Sequence, residues 1–264
     1  MSERVVGEFL RTRRDGATPI QTYNRRRVPG LRREEVAALA GVSTSYYTRI
    51  EQGAVTATPD VLDAIAQALQ LSADDVEYLH DLADGTFRGR ANGGDREHVL
   101  DDGLGRTLTT LCQVPAAVLA FDMRVLAWNR RAHEIFAPHV PFDAPMSENP
   151  PNWAELLFTD PYCRSLFTPW EPVALDLVGR LRASLAKHPG EPFLHNVTEQ
   201  LRSRSPDFAA LWDRHPVRLS PLGVVRLEHP IQGRLVLRDT VLRVNDASDQ
   251  LLFIFHEDKT AASG

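Results

Sequence analysis

The chain has 264 residues, 43% hydrophobic and 25% charged, with a formal net charge of -5. That length predicts about two domains with cores large enough to stand without disulfide or metal staples. Cys112 and Cys163 form no C-x-x-C pair, which excludes a zinc ribbon and a disulfide framework and fits a reducing cytosol. No run of about 18 apolar residues occurs, and no apolar signal core follows Met1-Ser2-Glu3-Arg4, so nothing predicts a membrane span or a secretory leader. The charge is uneven: residues 1–33 hold nine arginines against three acids, +6, leaving -11 on the rest. A basic end on an acidic body points to a polyanion-binding module joined to a body with another task.

Five short helices are predicted within residues 1–84. Val5, Val6, Phe9 and Leu10 give the first an apolar stripe. The stretch Arg32–Gly53, RREEVAALAGVSTSYYTRIEQG, then reads as two helices around a tight turn. Gly41 can take the left-handed conformation the turn requires, Ser43 is a good N-cap, and the small Ala37 permits a close crossing. Tyr47 and Ile50 face a core. Thr44, Ser45 and Arg49 face outward, where a helix-turn-helix presents base-reading side chains to the major groove. Tyr46 is a candidate phosphate or sugar contact and Arg33 a candidate phosphate contact. Arg25, Arg26 and Arg27, in the long connection before Pro29-Gly30, are candidate phosphate or minor-groove contacts. Pro59 opens a fourth helix carrying Leu62, Ile65 and Leu69, and Ser72 caps a fifth carrying Val76, Leu79 and Leu82.

Residues 85–102 are glycine-rich and read as a linker; Gly103-Leu104-Gly105 lacks the preceding strand and third glycine of a dinucleotide loop. Residues 103–258 read as an α+β domain, with 259–264 as a tail. Strands are expected at 117–121 and 125–128, and Asn129 caps a helix running through Phe136. Helices follow near 152–158, 160–167, 172–187, 193–203 and 205–214. Strands return at 224–227, 234–237, 241–244 and 251–256. Two strands, a helical middle and then more strands predict an antiparallel sheet with helices on one face, the element order of PAS-like sensor folds. Aromatic side chains crowd the helical middle, and between helices and sheet they can wall an apolar cavity or simply fill a core. The candidate lining is Trp128, Phe136, Trp153, Phe158, Trp170, Arg182, Phe208 and Trp212, with His215 and His229 as nearby polar groups.

The chemistry of enzymes is absent from the pattern. No nucleophile elbow or phosphate loop occurs, and the nine histidines show no metal-ligand spacing, so neither a catalytic nor a metal site is predicted.

The first half resembles the Xre-type, phage-repressor-like helix-turn-helix family. RRRVPGLRREEVAALAGVSTSYYTRIEQG is similar more narrowly to the MmyB-like transcriptional regulators. That resemblance implies sequence-specific operator binding as a dimer, with Thr44, Ser45 and Arg49 at base-reading positions. Residues 104–257 resemble the same family's ligand-binding domain, through VLAWNRRAHEIF, NWAELLFTDPYCRSLFTPW, LVGRLR, LRSRSPDFAALWDRHPV and RLEHPIQGRLVL. The resemblance implies a PAS-like domain that binds a fatty-acid-like apolar molecule and no other cofactor. Two positions depart from the pattern: Glu155 stands where arginine is common and Pro216 where an acid is common, and a charge reversal at Glu155 disfavours a carboxylate headgroup there. The rival expectation keeps DNA binding but makes residues 103–258 a dimerisation or protein-interaction module with a filled core.

Overall fold

The computed structural model describes residues 2–17, 30–84, 100–214, 223–243 and 250–258. Two compact units emerge: Met1–Ala91 with Ala186–Gly190, and Asn92–Leu185 with Glu191–Gly264.

The first unit holds the five expected helices: α1 (Ser2–Gly16), α2 (Arg33–Leu39), α3 (Thr44–Glu51), α4 (Pro59–Ala68) and α5 (Ala73–Asp84). Their starts follow local chemistry. The Arg32 backbone N–H donates to Glu35 Oε2 at 2.7 Å, Pro59 occupies the first turn of α4, and Ser72 Oγ accepts from the Asp75 backbone N–H at 3.2 Å. Phe9, Leu10, Val36, Tyr47, Ile50, Leu62, Ile65 and Leu79 close the core. Each such side chain contributes about 1.5–3 kcal/mol by leaving water. Gly7 marks a close crossing of α1 and α3. A Cβ at Gly7 would lie 2.3 Å from the Glu51 carbonyl oxygen, so α1 reaches α3 only because that position lacks a side chain.

The second unit begins with α6 (Asp102–Thr110), β1 (Ala116–Leu119), β2 (Val125–Trp128) and α7 (Arg130–Phe136). A helical run follows: α8 (Trp153–Thr159), α9 (Pro161–Leu166), α10 (Trp170–Lys187), α11 (Pro192–Arg204) and α12 (Pro206–Asp213). It closes with β3 (Val224–His229), β4 (Gly233–Arg243) and β5 (Leu251–Glu257). The five strands form one antiparallel sheet in the order β2-β1-β5-β4-β3. The predicted element order of a PAS-like α+β domain is therefore present.

Three details differ from expectation. Residues 234–237 and 241–243 belong to a single strand, β4, paired to β3 along its first half and β5 along its second; residue 244 lies outside the described residues. The polar Arg238-Asp239-Thr240 looked like a break, but Asp239 is buried, and its Oδ1 accepts from the Gly223 backbone N–H. The second difference is α6, which falls partly in the glycine-rich stretch. Asp101 caps it through Leu104 N–H at 2.9 Å, and burial of Leu104 and Leu108, one turn apart, outweighs the helix cost of Gly103 and Gly105. Third, the helices are not confined to one face. Ala116, Val118, Leu252 and Ile254 pack with α6, while their strand neighbours Ala117, Leu119, Leu251 and Phe253 join the main core; strand side chains alternate, so these are opposite faces.

Asn129 is the joint between α6, β1 and α7. Its Oδ1 accepts from Ala116 and Ala132 backbone N–H groups at 3.2 and 2.9 Å. Its Nδ2 donates to the Leu111 and Val114 carbonyls at 2.6 and 2.8 Å.

Candidate functional site

The outward face of α3 is the first candidate. Gly41 has φ of +68°, and Val42 N–H donates to the Ala37 carbonyl at 3.0 Å, so the turn closes as its sequence dictates. Ser43 Oγ caps α3 by accepting from Tyr46 N–H at 3.1 Å. Thr44, Ser45 and Arg49 are exposed and Tyr46 half-buried, whereas Tyr47 and Ile50 are buried. One helix thus divides into a core face and a polar, hydrogen-bonding face. Arg25, Arg26 and Arg27 lie outside the described residues.

Arg33 is anchored as well as exposed. Its guanidinium donates Nε and a terminal N–H to Glu51 Oε1 at 3.0 and 2.7 Å, while the side chain stays 42% exposed. Glu51 closes α3, and its side chain is 1% exposed. Arg14 of α1 binds the same carboxylate in a two-pronged contact at 2.8 and 3.0 Å and also donates to the Leu31 carbonyl at 2.9 Å. Burial alone would raise the Glu51 pKa; the hydrogen bonds and charges of Arg14 and Arg33 overcome it and hold the pKa below the usual carboxylate value. The Tyr47 hydroxyl is pushed well above its ordinary pKa by burial and then by the Glu51 charge, so it stays neutral. Two arginines of the basic end therefore hold α3 in place. Nothing local revealed this, because Arg14 and Glu51 are 37 positions apart.

The second candidate is an apolar cavity of about 70 Å³ between the sheet and α7, α8 and α10. Trp128, Phe136 and Trp153 line it, as expected, together with Val125, Ala132, Phe167, Val225, Phe253 and Phe255. Phe136 organises this wall, its ring centroid 4.7 Å from that of Phe255 and 5.8 Å from that of Trp153. Phe255 also borders an outer groove of about 350 Å³ that includes Arg131, Leu235 and His256.

Other predicted lining residues are not brought to this cavity. Phe158, Trp170, Phe208 and Trp212 pack against one another, with Phe158 5.4 Å from Trp170 and 5.0 Å from Phe208, and Phe208 stacked on Trp212 at 5.5 Å. Arg182 lies 4.2 Å over the Trp212 ring and donates to its carbonyl, tying α10 to α12. These five residues form a second aromatic knot within the core, which composition could not separate from a cavity wall. His229 ends β3: its Nδ1 accepts from Ile231 and Gln232 N–H at 3.2 and 3.0 Å, closing the β3–β4 hairpin. Glu155 does not line the cavity either, so its charge bears on no headgroup there. His215 lies outside the described residues.

Two cavity residues escaped sequence reasoning. Asp176 of α10 and Asp239 of β4 both line it. Arg180, one turn along α10, donates to Asp176 Oδ2 at 2.9 Å, and its guanidinium lies 5.3 Å over the Phe253 ring. The pair Asp176–Arg180 has the i, i+4 spacing of an ordinary surface ion pair, so only burial distinguishes it.

Among the described residues, His139, Asp160 and Cys163 bring potential ligand atoms within 4.8 Å of one another. Asp160 is already engaged as the cap of α9, accepting Cys163 N–H at 3.0 Å, and its other oxygen lies 3.1 Å from His139 Nε2. Burial, then the Asp160 charge, pushes the Cys163 thiol up to about 12. The thiol keeps its proton at neutral pH, and a protonated thiol is a poor metal ligand.

Comparison with known families accords with both units. Residues 5–79 match the helix-turn-helix domain family. Residues 100–263 match the MmyB-like transcription regulator ligand binding domain. No curated protein matches the chain. Both families are transcription-regulator domains rather than enzymes, and no helix among the described residues is long and apolar enough to cross a membrane. With the second match spanning more than half of its length, the chain belongs to the MmyB-like transcription regulators and is a DNA-binding regulator with a ligand-binding domain.

Proposed function

We propose that this regulator reads a specific operator as a homodimer through Thr44, Ser45 and Arg49, and that a small apolar molecule in the cavity of the second unit changes its operator affinity. The observation that carries this reading is the division of α3 into a buried face and an exposed polar one, in a chain whose other unit holds an apolar cavity. Arg49 has the reach and geometry to meet guanine O6 and N7, and Arg25, Arg26 and Arg27 supply positive charge for phosphate. Two copies of α3 must meet half-sites about 34 Å apart, or a multiple of that. A ligand shifts the equilibrium between dimer arrangements only by its differential affinity for them.

The test is fluorescence anisotropy on a selected operator duplex, with and without saturating ligand, alongside the mass of the complex. Ligand-dependent affinity and two chains per operator are expected. Equal affinity in both states would leave a regulator without a switch. That second reading, a C-terminal unit that only dimerises, draws on the size of the cavity. At about 70 Å³ it is about half the 150 Å³ of an engineered cavity that admits benzene, so a ligand must also displace Phe255 and use the outer groove.

A further inference from the structure

The cavity and the outer groove meet at one ring. Among the described residues, Phe255 alone lines both, so its side chain separates an apolar space of about 70 Å³ from a groove of about 350 Å³. The first is smaller than an ordinary small-molecule site, which spans about 300–1,000 Å³, and the second falls inside that range. Other rings of the cavity wall are held. The Trp128 indole N–H donates to the Phe142 carbonyl at 2.8 Å, and Phe136 and Phe167, both buried, stack on each other at 6.3 Å. Phe255 is half-buried, has no side-chain polar atom to tie it down and borders the groove on one side. Its backbone is fixed: the N–H donates to the Pro115 carbonyl at 2.8 Å, and the sheet pairs it with Asp239 of β4. The ring can therefore turn about χ1 while β5 stays in place, and a strand side chain commonly uses either of two χ1 rotamers. Ile135, Leu235 and Leu237 give the groove an apolar lining that receives a turned ring without exposing it to water. A space of about 150 Å³ admits benzene, so the groove has room for the ring and for a chain beside it.

We propose that Phe255 is the gate of the ligand site. The ligand enters through the groove, apolar end first, the ring turns aside, and cavity and groove become one site longer than the cavity alone. The exposed Gln113, His256 and Glu257 and the half-buried Arg131 supply the groove's polar lining, where the polar end of an amphiphile stays. This rests on the reading of the cavity as a ligand site and adds the route into it and the residue that controls that route. Because only the turned-ring state accepts a chain, association rate and apparent affinity are both lowered in proportion to the population of that state.

The experiment is stopped-flow tryptophan fluorescence of the full-length protein with 1-hexanol and 1-decanol as probes, and calorimetry for stoichiometry. Trp128 and Trp153 line the cavity and report entry. One site per chain is expected in the wild type, with affinity rising from hexanol to decanol. Phe255→Ala removes the gate and should bind decanol about 10-fold faster and about 10-fold more tightly. Phe255→Leu, which keeps an apolar filler, should bind about 3-fold faster and decides the matter if the alanine variant does not fold. Unchanged association in the variants, with any tighter binding due to slower release, would mean only an enlarged cavity; it overturns the gate and leaves the ligand site standing. Equal affinity for hexanol and decanol shows a chain that stops at the ring and also overturns the gate. No binding of either alcohol by wild type or variant removes the ligand site and the gate together, and uptake at many sites per chain does the same.

Discussion

The two units solve opposite problems with buried charge. In the helical unit, Glu51 sits under two arginines, every contact short, and the group is filled and closed. In the sheet unit, Asp176 and Asp239 stand beside empty space. Reading a base edge demands a helix held to a fraction of an ångström, and a buried, mutually satisfied ion cluster supplies that fixity. Sensing a molecule demands room. The same residue type, an acid, thus acts as a rivet in one unit and borders a cavity in the other.

The sharpest way to break this comparison is to remove the rivet. Glu51→Gln leaves Arg14 and Arg33 without their counter-charge and should cost about 3 kcal/mol of stability in the helical unit, read as a lowered unfolding midpoint. Acid should do the same to the wild type. The Glu51 pKa in the folded unit lies below its ordinary 4.5, so the unfolded chain takes up the proton first. The stabilisation is complete above that value and falls as pH drops through the folded pKa; in Glu51→Gln this loss should be missing from the acid titration.

Next in size is Gly7→Ala, which sets a methyl 2.3 Å from the Glu51 carbonyl oxygen and should cost about 2 kcal/mol by overpacking, despite alanine's better helix propensity. A stabilised variant would show that α1 can slide on α3 and that the unit is less rigid than the comparison requires. Arg49→Ala should leave stability unchanged and cost about 1–3 kcal/mol at the operator, with relaxed preference at one base position. Uniform weakening on all sequences would make Arg49 a phosphate contact. Smallest is Val125→Ile, which adds one methylene toward the cavity. It should stabilise the sheet unit by up to about 0.8 kcal/mol and weaken ligand binding. Lower stability with unchanged binding would mean that the side chain cannot reach the empty volume.

What the sequence disclosed follows the range of the forces. The turn at Gly41 and the cap at Ser43 depend on bonds spanning three to five residues, and both were legible. So were five helices, the first hairpin and the inward face of α3. The Arg14–Glu51–Arg33 cluster was not, because charged residues at those spacings are ordinary until packing buries them. Asp176 and Asp239 were hidden for the same reason. α6 was obscured by two glycines whose local cost is repaid only when Leu104 and Leu108 meet the sheet. β4 was split in two because a polar tripeptide is a poor strand core unless another segment satisfies it. In the aromatic-rich middle, composition fixed how many rings would be buried but not which would surround a void.

Asn129 carries a consequence for how this fold ages. A side-chain amide has two donor hydrogens and two acceptor sites, and here all four are spoken for, each by a different piece of backbone. Glutamine has the same groups on a longer arm, and aspartate matches the shape with oxygen in place of nitrogen. Deamidation would make that last exchange without any mutation, turning two attractions into oxygen facing the carbonyls of Leu111 and Val114. A chemical change of one heavy atom would then loosen the end of α6 from the joint, while the oxygen that remains still holds β1 to α7.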